Sequence, residues 1–366
     1  MILPSVIALL IPAGLAMLVT GLTRAKNATQ TAFMVFIGGA LATLGLWAVG
    51  FCVMGGGTDA VFLYRAVQAG IVVAIPVGVL AERWSLKNFF LYVIFAATLL
   101  FPVAVLGSRS LVDFAGAGSV HVVGGFSALA GAVVLGPRIG RYNRDGVLAP
   151  IPAHNVPLAL LGCFVLTVGW LGINTGDLPA EAPRLAMVTL LAGAAGAVAA
   201  AAFMIFSTRR PDPTIAVNGL VAGLVSSSAA VAIISPAAGV ITGGVAGVLV
   251  CLMLPVLDRK HIDDPVGAIA AHGVAGLWGV IAAGIFARRE ASLGVQALGG
   301  VALAAWAFGI SWLFFKIAGK FLPMRVAPEV ELEGLDLSET GVVGYPEFQR
   351  SNVYGSGLPF GATPRK

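Results

Sequence analysis

Over its 366 residues the chain is 58% hydrophobic and 11% charged, with a mean hydropathy of +0.95. A soluble domain of this length needs far more polar surface to cover its core, so the bilayer is the solvent. The formal charge of +5 sits in short connections between apolar runs, which marks it as a topology signal and argues against a nucleic-acid-binding surface.

From the N-terminus onward the chain divides into about eleven apolar spans, at 4–22, 29–54, 60–81, 88–106, 115–136, 156–174, 184–206, 216–234, 236–257, 266–286 and 294–318. Each is long enough to cross a hydrocarbon core of about 30 Å as a helix, so an all-α integral membrane fold is expected. Met1-Ile2-Leu3-Pro4 lacks the basic start of a secretory signal, and the first helix is expected to be retained. Cys52, Cys163 and Cys251 each lie in an apolar run without CxxC spacing. They read as small packing residues and not as a disulfide or zinc framework.

Alternate connections differ in charge. The first, third, fifth, seventh and ninth carry Arg24 and Lys26, Arg83 and Lys87, Arg138 with Arg141 and Arg144, Arg209 and Arg210, and Arg259 with Lys260. The others are short and neutral, or acidic as at 174–181, with Arg109, Arg184, Arg288 and Arg289 as exceptions. The positive-inside rule places the basic set in the cytoplasm, the N-terminus outside and the C-terminus inside, which requires an odd number of spans. Residues 1–318 read as a membrane domain. Residues 319–366 read as a cytoplasmic tail, rich in acids such as Glu329, Glu331, Asp336 and Glu339 and ordered only against the membrane domain or a partner.

The fifth and tenth spans share a motif. Asp113 precedes His121 by eight residues, Asp264 precedes His272 by eight, and the histidines open His121-Val-Val-Gly-Gly125 and His272-Gly-Val-Ala-Gly276. Spans five apart cross in opposite directions, the mark of an inverted repeat with its substrate site near the midplane.

An ionisable residue inside a span is costly and is a functional candidate by default. The bland reading, a histidine that packs and bonds a neighbouring helix, weakens when two occupy matching repeat positions. Facing imidazoles can share a proton and offer a donor and an acceptor to a small polar molecule. Two nitrogens leave a zinc site incomplete, and no nucleophile with an orienting group is spaced for catalysis, so neither a metal, another cofactor nor an enzyme is expected. Asp113 reads as a helix cap that can also shape a vestibule, with attraction of a cation as the other reading. Asp263 and Asp264 read as helix-start acids, and His154 and His261 as loop residues. The 48 glycines, as in Gly219-Leu-Val-Ala-Gly223, suit close helix contact around a narrow conduit.

These stretches resemble the ammonium transporter family, which includes bacterial ammonium transporters, yeast methylammonium permeases and, more distantly, Rhesus proteins. The resemblance is carried by Asp113-Phe-Ala-Gly with His121, Pro152-Ala-His-Asn155, Gly169-Trp-Leu-Gly-Ile-Asn174, Asp212-Pro-Thr-Ile-Ala-Val-Asn-Gly219, Asp263-Asp-Pro with His272-Gly273, and Glu333-Gly-Leu-Asp-Leu-Ser-Glu339. Arg24-Ala-Lys-Asn27 and Ala81-Glu-Arg83 add to it, so it covers almost the whole chain. It implies a homotrimer of single-pore subunits in the cell inner membrane, each built of two five-helix inverted repeats plus a final helix. It implies too that ammonium is recruited outside and that ammonia passes His121 and His272, with Asp113 before them. The tail resembles the segment through which members are gated by a PII signalling protein.

The sequence departs from that family at the outer mouth. The loop 101–112 lacks the tryptophan that binds ammonium by cation–π attraction, and Gln68 and Met187 align with the gating phenylalanines, with Thr189 supplying a hydroxyl nearby. Either Gln68 offers a carbonyl oxygen instead or the pore stands more open, and Arg109 is expected to repel a cation if it faces the vestibule. The function expected is ammonium transport by conduction of ammonia, with or without a proton. The alternative is an ammonium-sensing receptor with slow or no transport.

Overall fold

The structure is a computed structural model and describes residues 2–176 and 179–348. The polar breaks in the sequence become helix caps. Thr58 and Ser85 accept from backbone N–H groups three residues on, and so do Asn155, Asp212 and Ser235, each of which is followed by a proline in the first turn.

The spans are α1 (Ile2–Leu22), α2 (Ala25–Val53), α3 (Asp59–Leu80), α4 (Leu86–Ser110), α5 (Ala117–Leu135), α6 (Val156–Thr175), α7 (Ala182–Thr208), α8 (Pro213–Ser227), α9 (Pro236–Arg259), α10 (Ile269–Phe286) and α11 (Leu293–Ala318). All but α8 have 18 or more residues. The expected eighth span at 216–234 is helical only to Ser227 and turns thereafter, which corrects its limits. The reason is tertiary. The carbonyls of Ser228 and Ala229 leave the helix to accept from Ala115 N and Phe114 N, both at 2.9 Å, and so satisfy the non-helical lead-in to α5.

The packing follows the inverted repeat. α2 lies on α3 as α7 lies on α8, α3 on α5 as α8 on α10, and α2 on α4 as α7 on α9, while α11 covers α5 and α10. α3 is buried without interruption from Val67 to Leu80, the pattern of a helix enclosed on all sides. Glycines form the seams. A Cβ on Gly14 of α1 would lie 2.6 Å from the Gly162 carbonyl of α6, and one on Gly243 of α9 would lie 2.0 Å from the Ala192 carbonyl of α7. All three cysteines are free; Cys163 and Cys251 are buried, but Cys52 is exposed on α2, so its packing role is corrected.

The basic connections gather on one face. Arg138 joins Glu82 at 2.7 Å and Asp263 at 2.8 Å, Arg24 bonds the same Glu82, and Arg141 reaches Asp258 at 2.8 Å. Burial opposes the Asp263 carboxylate, but the Arg138 hydrogen bond and the charges of Arg83 and Arg138 outweigh it and hold its pKa down to about 2. The tail lies on this same face, with a short helix α12 (Pro328–Glu333). Glu331 accepts from Ile139 N at 2.7 Å and from Arg325 at 2.8 and 2.9 Å, and Asp336 accepts from Thr29 N and Gln30 N at 3.1 and 2.8 Å. Residues 349–366 of the tail lie outside the described residues.

The α7–α9 seam is testable. Gly243→Val is expected to cost about 1–3 kcal/mol through overpacking, lowering the thermal midpoint in detergent. Gly244→Ala, where the added methyl meets nothing within 4 Å, is expected to leave the midpoint unchanged or slightly raised.

Candidate functional site

The repeated motif is a capping device. α5 and α10 each open with a π-helical turn, Ala117–Val122 and Ile269–Val274, and each turn holds one histidine. Asp113 caps the first, with Oδ1 accepting from Gly118 N at 2.8 Å and Oδ2 from Ser119 N at 2.8 Å and Ser119 Oγ at 2.7 Å. Asp264 caps the second, accepting from Ala268 N at 3.1 Å and Ile269 N at 2.7 Å. Between cap and histidine each lead-in needs one left-handed residue, Gly116 at φ +95° and Gly267 at φ +73°, which glycine adopts without strain.

Small residues then let the two helices cross in contact. A Cβ on Gly125 would lie 2.3 Å from Gly273 N, and one on Gly276 would lie 2.7 Å from the Ala117 carbonyl. The crossing brings His121 and His272 together, 1% and 2% exposed, with Nδ1 to Nδ1 at 3.1 Å and ring centroids 5.2 Å apart. One Nδ1 must carry a hydrogen and the other a lone pair. Two neutral rings so joined present one Nε2–H and one bare Nε2 at the ends of the pair. His121 Nε2 is buried with no hydrogen-bond partner among the described residues.

Trp170 of α6 stacks on His121, with centroids 5.1 Å apart and planes 15° from parallel. Its indole donates to Ser228 Oγ at 3.0 Å, Ser228 donates to Asn174 Oδ1 at 2.9 Å, and Asn174 Nδ2 donates to Thr189 Oγ1 at 3.0 Å. Thr189 in turn donates to the Leu185 carbonyl at 2.8 Å, so its hydroxyl is spent on this chain.

Gln68 is buried beside the Asp113 lead-in. Its Oε1 accepts from Arg65 at 2.7 Å, which takes one of the oxygen's two lone pairs, and its Nε2 donates to the Ala115 carbonyl at 3.4 Å. Met187 is not brought to the histidines. It is 45% exposed, on a stripe of α7 with Leu190, Leu191 and Val198, whereas Leu185, Val188, Thr189 and Ala192 point inward. Arg109 bonds the Met54 carbonyl at 2.8 Å and lines a basin of about 350 Å³ with Arg65 and Asp113. A second basin of about 360 Å³, with Phe114 and Glu290, shares Asp113. On the tail face a cavity of about 850 Å³ is lined by Asp264, Asn218, Arg141 and Asp258.

Sequence reading missed two residues. Trp170 was visible only inside the Gly169-Trp motif, and Arg65, a cation within a span, carried its own signal. His154 and His261 bond the carbonyls of Thr23 and Gly146 as loop residues, and Asp263 serves the ion pairs instead of a helix start.

Burial pushes the Asp264 carboxyl up to about 6, against backbone N–H groups of Ile269 and Ala268 that pull it down. Over the window from about pH 4 to 6 the folded chain then keeps a proton that the unfolded chain has released, so this group's contribution to stability falls as pH rises. The thermal midpoint of the parent protein minus that of Asp264→Asn is expected to shrink as pH rises through this window and to level off above it.

A family model described as "Ammonium Transporter Family" matches residues 55–345. The chain is 34% identical to ammonium transporter Amt2 of Archaeoglobus fulgidus, over 92% of this chain and 85% of that protein. It is 36% identical to ammonium transporter Amt1 of Haloferax mediterranei, over 92% and 69%. Among solved structures, one described as "Sensor Amt Protein" superposes with a TM-score of 0.88 at 30% identity, covering 93% of this chain and 96% of that one. Candida albicans Mep2 shares the fold, with a TM-score of 0.81 at 24% identity over 94% and 90%.

Proposed function

The chain belongs to the ammonium transporter family, and on that premise we propose that it conducts ammonia, with or without an accompanying proton, past His121 and His272. The observation that carries this reading is the buried 3.1 Å contact between the two imidazoles, with His121 Nε2 left without a partner among the described residues. Ammonia is small, uncharged and both donor and acceptor, which matches the single N–H and single lone pair such a pair offers. An ammonium ion in the same dry space keeps its full desolvation cost, so the proton parts from the nitrogen before the histidines.

The remaining residues position this pair. Asp113 and Asp264 fix the turns that hold the rings, Trp170 fixes the plane of His121, and Thr189 anchors the chain behind Trp170. Gln68 stands at the Asp113 mouth, and Met187, exposed on the outer stripe of α7, is left out. In this reading residues 1–318 form the conducting domain of a homotrimer with one pore per subunit. The basic face and the tail, residues 319–366, lie in the cytoplasm beneath an inner membrane, and the N-terminus lies outside. The tail offers a PII protein its place of contact.

A second reading is a receptor that binds ammonium and passes it slowly or not at all. It is supported by the likeness to a structure described as a sensor and by the Gln68 amide, held across the lead-in by Arg65 and Ala115. Proteoliposome uptake of labelled methylammonium separates the two. Uptake above that of empty vesicles, falling to their level in His121→Ala with His272→Ala, is expected. Uptake that survives both substitutions removes the histidine path. No uptake, together with ammonium-dependent hydrogen-exchange protection of the tail, selects the receptor.

A further inference from the structure

The histidine site leaves Arg65 and Arg109 without a task. Both line the basin of about 350 Å³ between α2, α3 and the end of α4, whose other walls include Phe51, Val61 and Leu111. Arg65 lies near enough to Arg109 and Asp113 to feel both charges. Each guanidinium has five N–H donors. The hydrogen bonds among the described residues engage one group of each, Arg65 Nη1 with Gln68 and Arg109 Nη2 with the Met54 carbonyl, and the Arg65 guanidinium also lies 6.0 Å from the centre of the Tyr64 ring. No carboxylate lies within 4.0 Å of either among the described residues.

Asp113 gives the two guanidinium groups one carboxylate between them, and its oxygens are hydrogen-bonded to Gly118 and Ser119 as the cap of α5. Like charges on the wall of one basin favour an anion placed between them. Planar guanidinium forks match the oxygens of a carboxylate, carbonate or phosphate group.

We propose that this basin is a binding site for a small oxyanion, held between Arg65 and Arg109. The inference does not rest on transport. Its chemistry is that of a bicarbonate, carboxylate or phosphate group small enough to leave room for water. Ser108, on the rim, spends its hydroxyl hydrogen on the Val105 carbonyl, so the two arginines supply the side-chain donors.

The test is calorimetric titration of the purified full chain in detergent with sodium bicarbonate and with sodium phosphate, at constant ionic strength set by sodium chloride. Saturable binding of at least one probe is expected, weakened about tenfold or more when Arg65→Gln and Arg109→Gln are combined, as for loss of charge-assisted bonds. Absence of saturable binding by both probes, or unchanged affinity in the double variant, overturns the site. Chloride binding as tight as either oxyanion overturns the oxyanion assignment. Gel filtration and helical circular dichroism report the fold of the variants. If the double variant does not fold, Arg109→Gln alone, an exposed side chain, is expected to weaken binding about threefold or more, and unchanged affinity there overturns the proposal. Affinity that survives in Arg65→Lys with Arg109→Lys at the parent level shows that fork geometry is not read, and likewise overturns it.

Discussion

The contact between Gly125 of α5 and Gly273 of α10 governs the rest of the molecule. With backbones this close there is no room for a side chain on Gly125, and two rings that begin on opposite-facing helices meet at hydrogen-bond distance. Helix association in a bilayer gains little from the hydrophobic effect, because lipid tails are as apolar as the side chains they would replace. Close backbone packing and interhelical hydrogen bonds must supply the adhesion instead. The same solution recurs between α1 and α6 at Gly14 and Gly162, so the two halves touch through glycine at more than one equivalent pair.

Around that contact, polar groups are used for placement. Asp113 and Asp264 are equivalent by the repeat and do the same work, tying the first free N–H groups of a turn that carries a histidine. Trp170 completes the arrangement from the other half of the chain. Its indole is held by Ser228, which stands where α8 gives up its helix, so the break in α8 serves both the lead-in of α5 and the ring behind His121. Breaking a helix at membrane depth is tolerable only where protein partners take up the freed carbonyls, and here they do.

Much of this was legible in the chain. The spans were written in hydropathy, the basic connections did gather on one face, and the paired Asp-to-His spacing marked equivalent turns because a cap must sit a fixed distance before the residues it orients. The end of α8 was not legible, since Ser228 to Ile234 is as apolar and small as a helix, and only backbone bonds to the distant residues 114 and 115 unwind it. The partner of Gln68 was not legible either, because the guanidinium one turn away takes one lone pair of its oxygen only once the helix has formed. Met187 misled for a different reason. It was placed by aligning a missing aromatic residue, while the inward spacing of Leu185, Val188, Ala192 and Gly196 already pointed to another face.

The acidic tail does something unusual with its carboxylates. Asp336 receives the backbone N–H groups of Thr29 and Gln30 near the start of α2, and Glu339 receives that of Leu86 at the start of α4 at 2.6 Å. Two membrane helices therefore borrow their terminal partners from a segment some 250 to 300 residues away. Lifting that segment off exposes bare peptide groups at both helix ends, at roughly 1 kcal/mol for each lost cap. Any event that seizes the tail thus reaches the backbone of the bundle directly, through the carboxylates of Asp336 and Glu339.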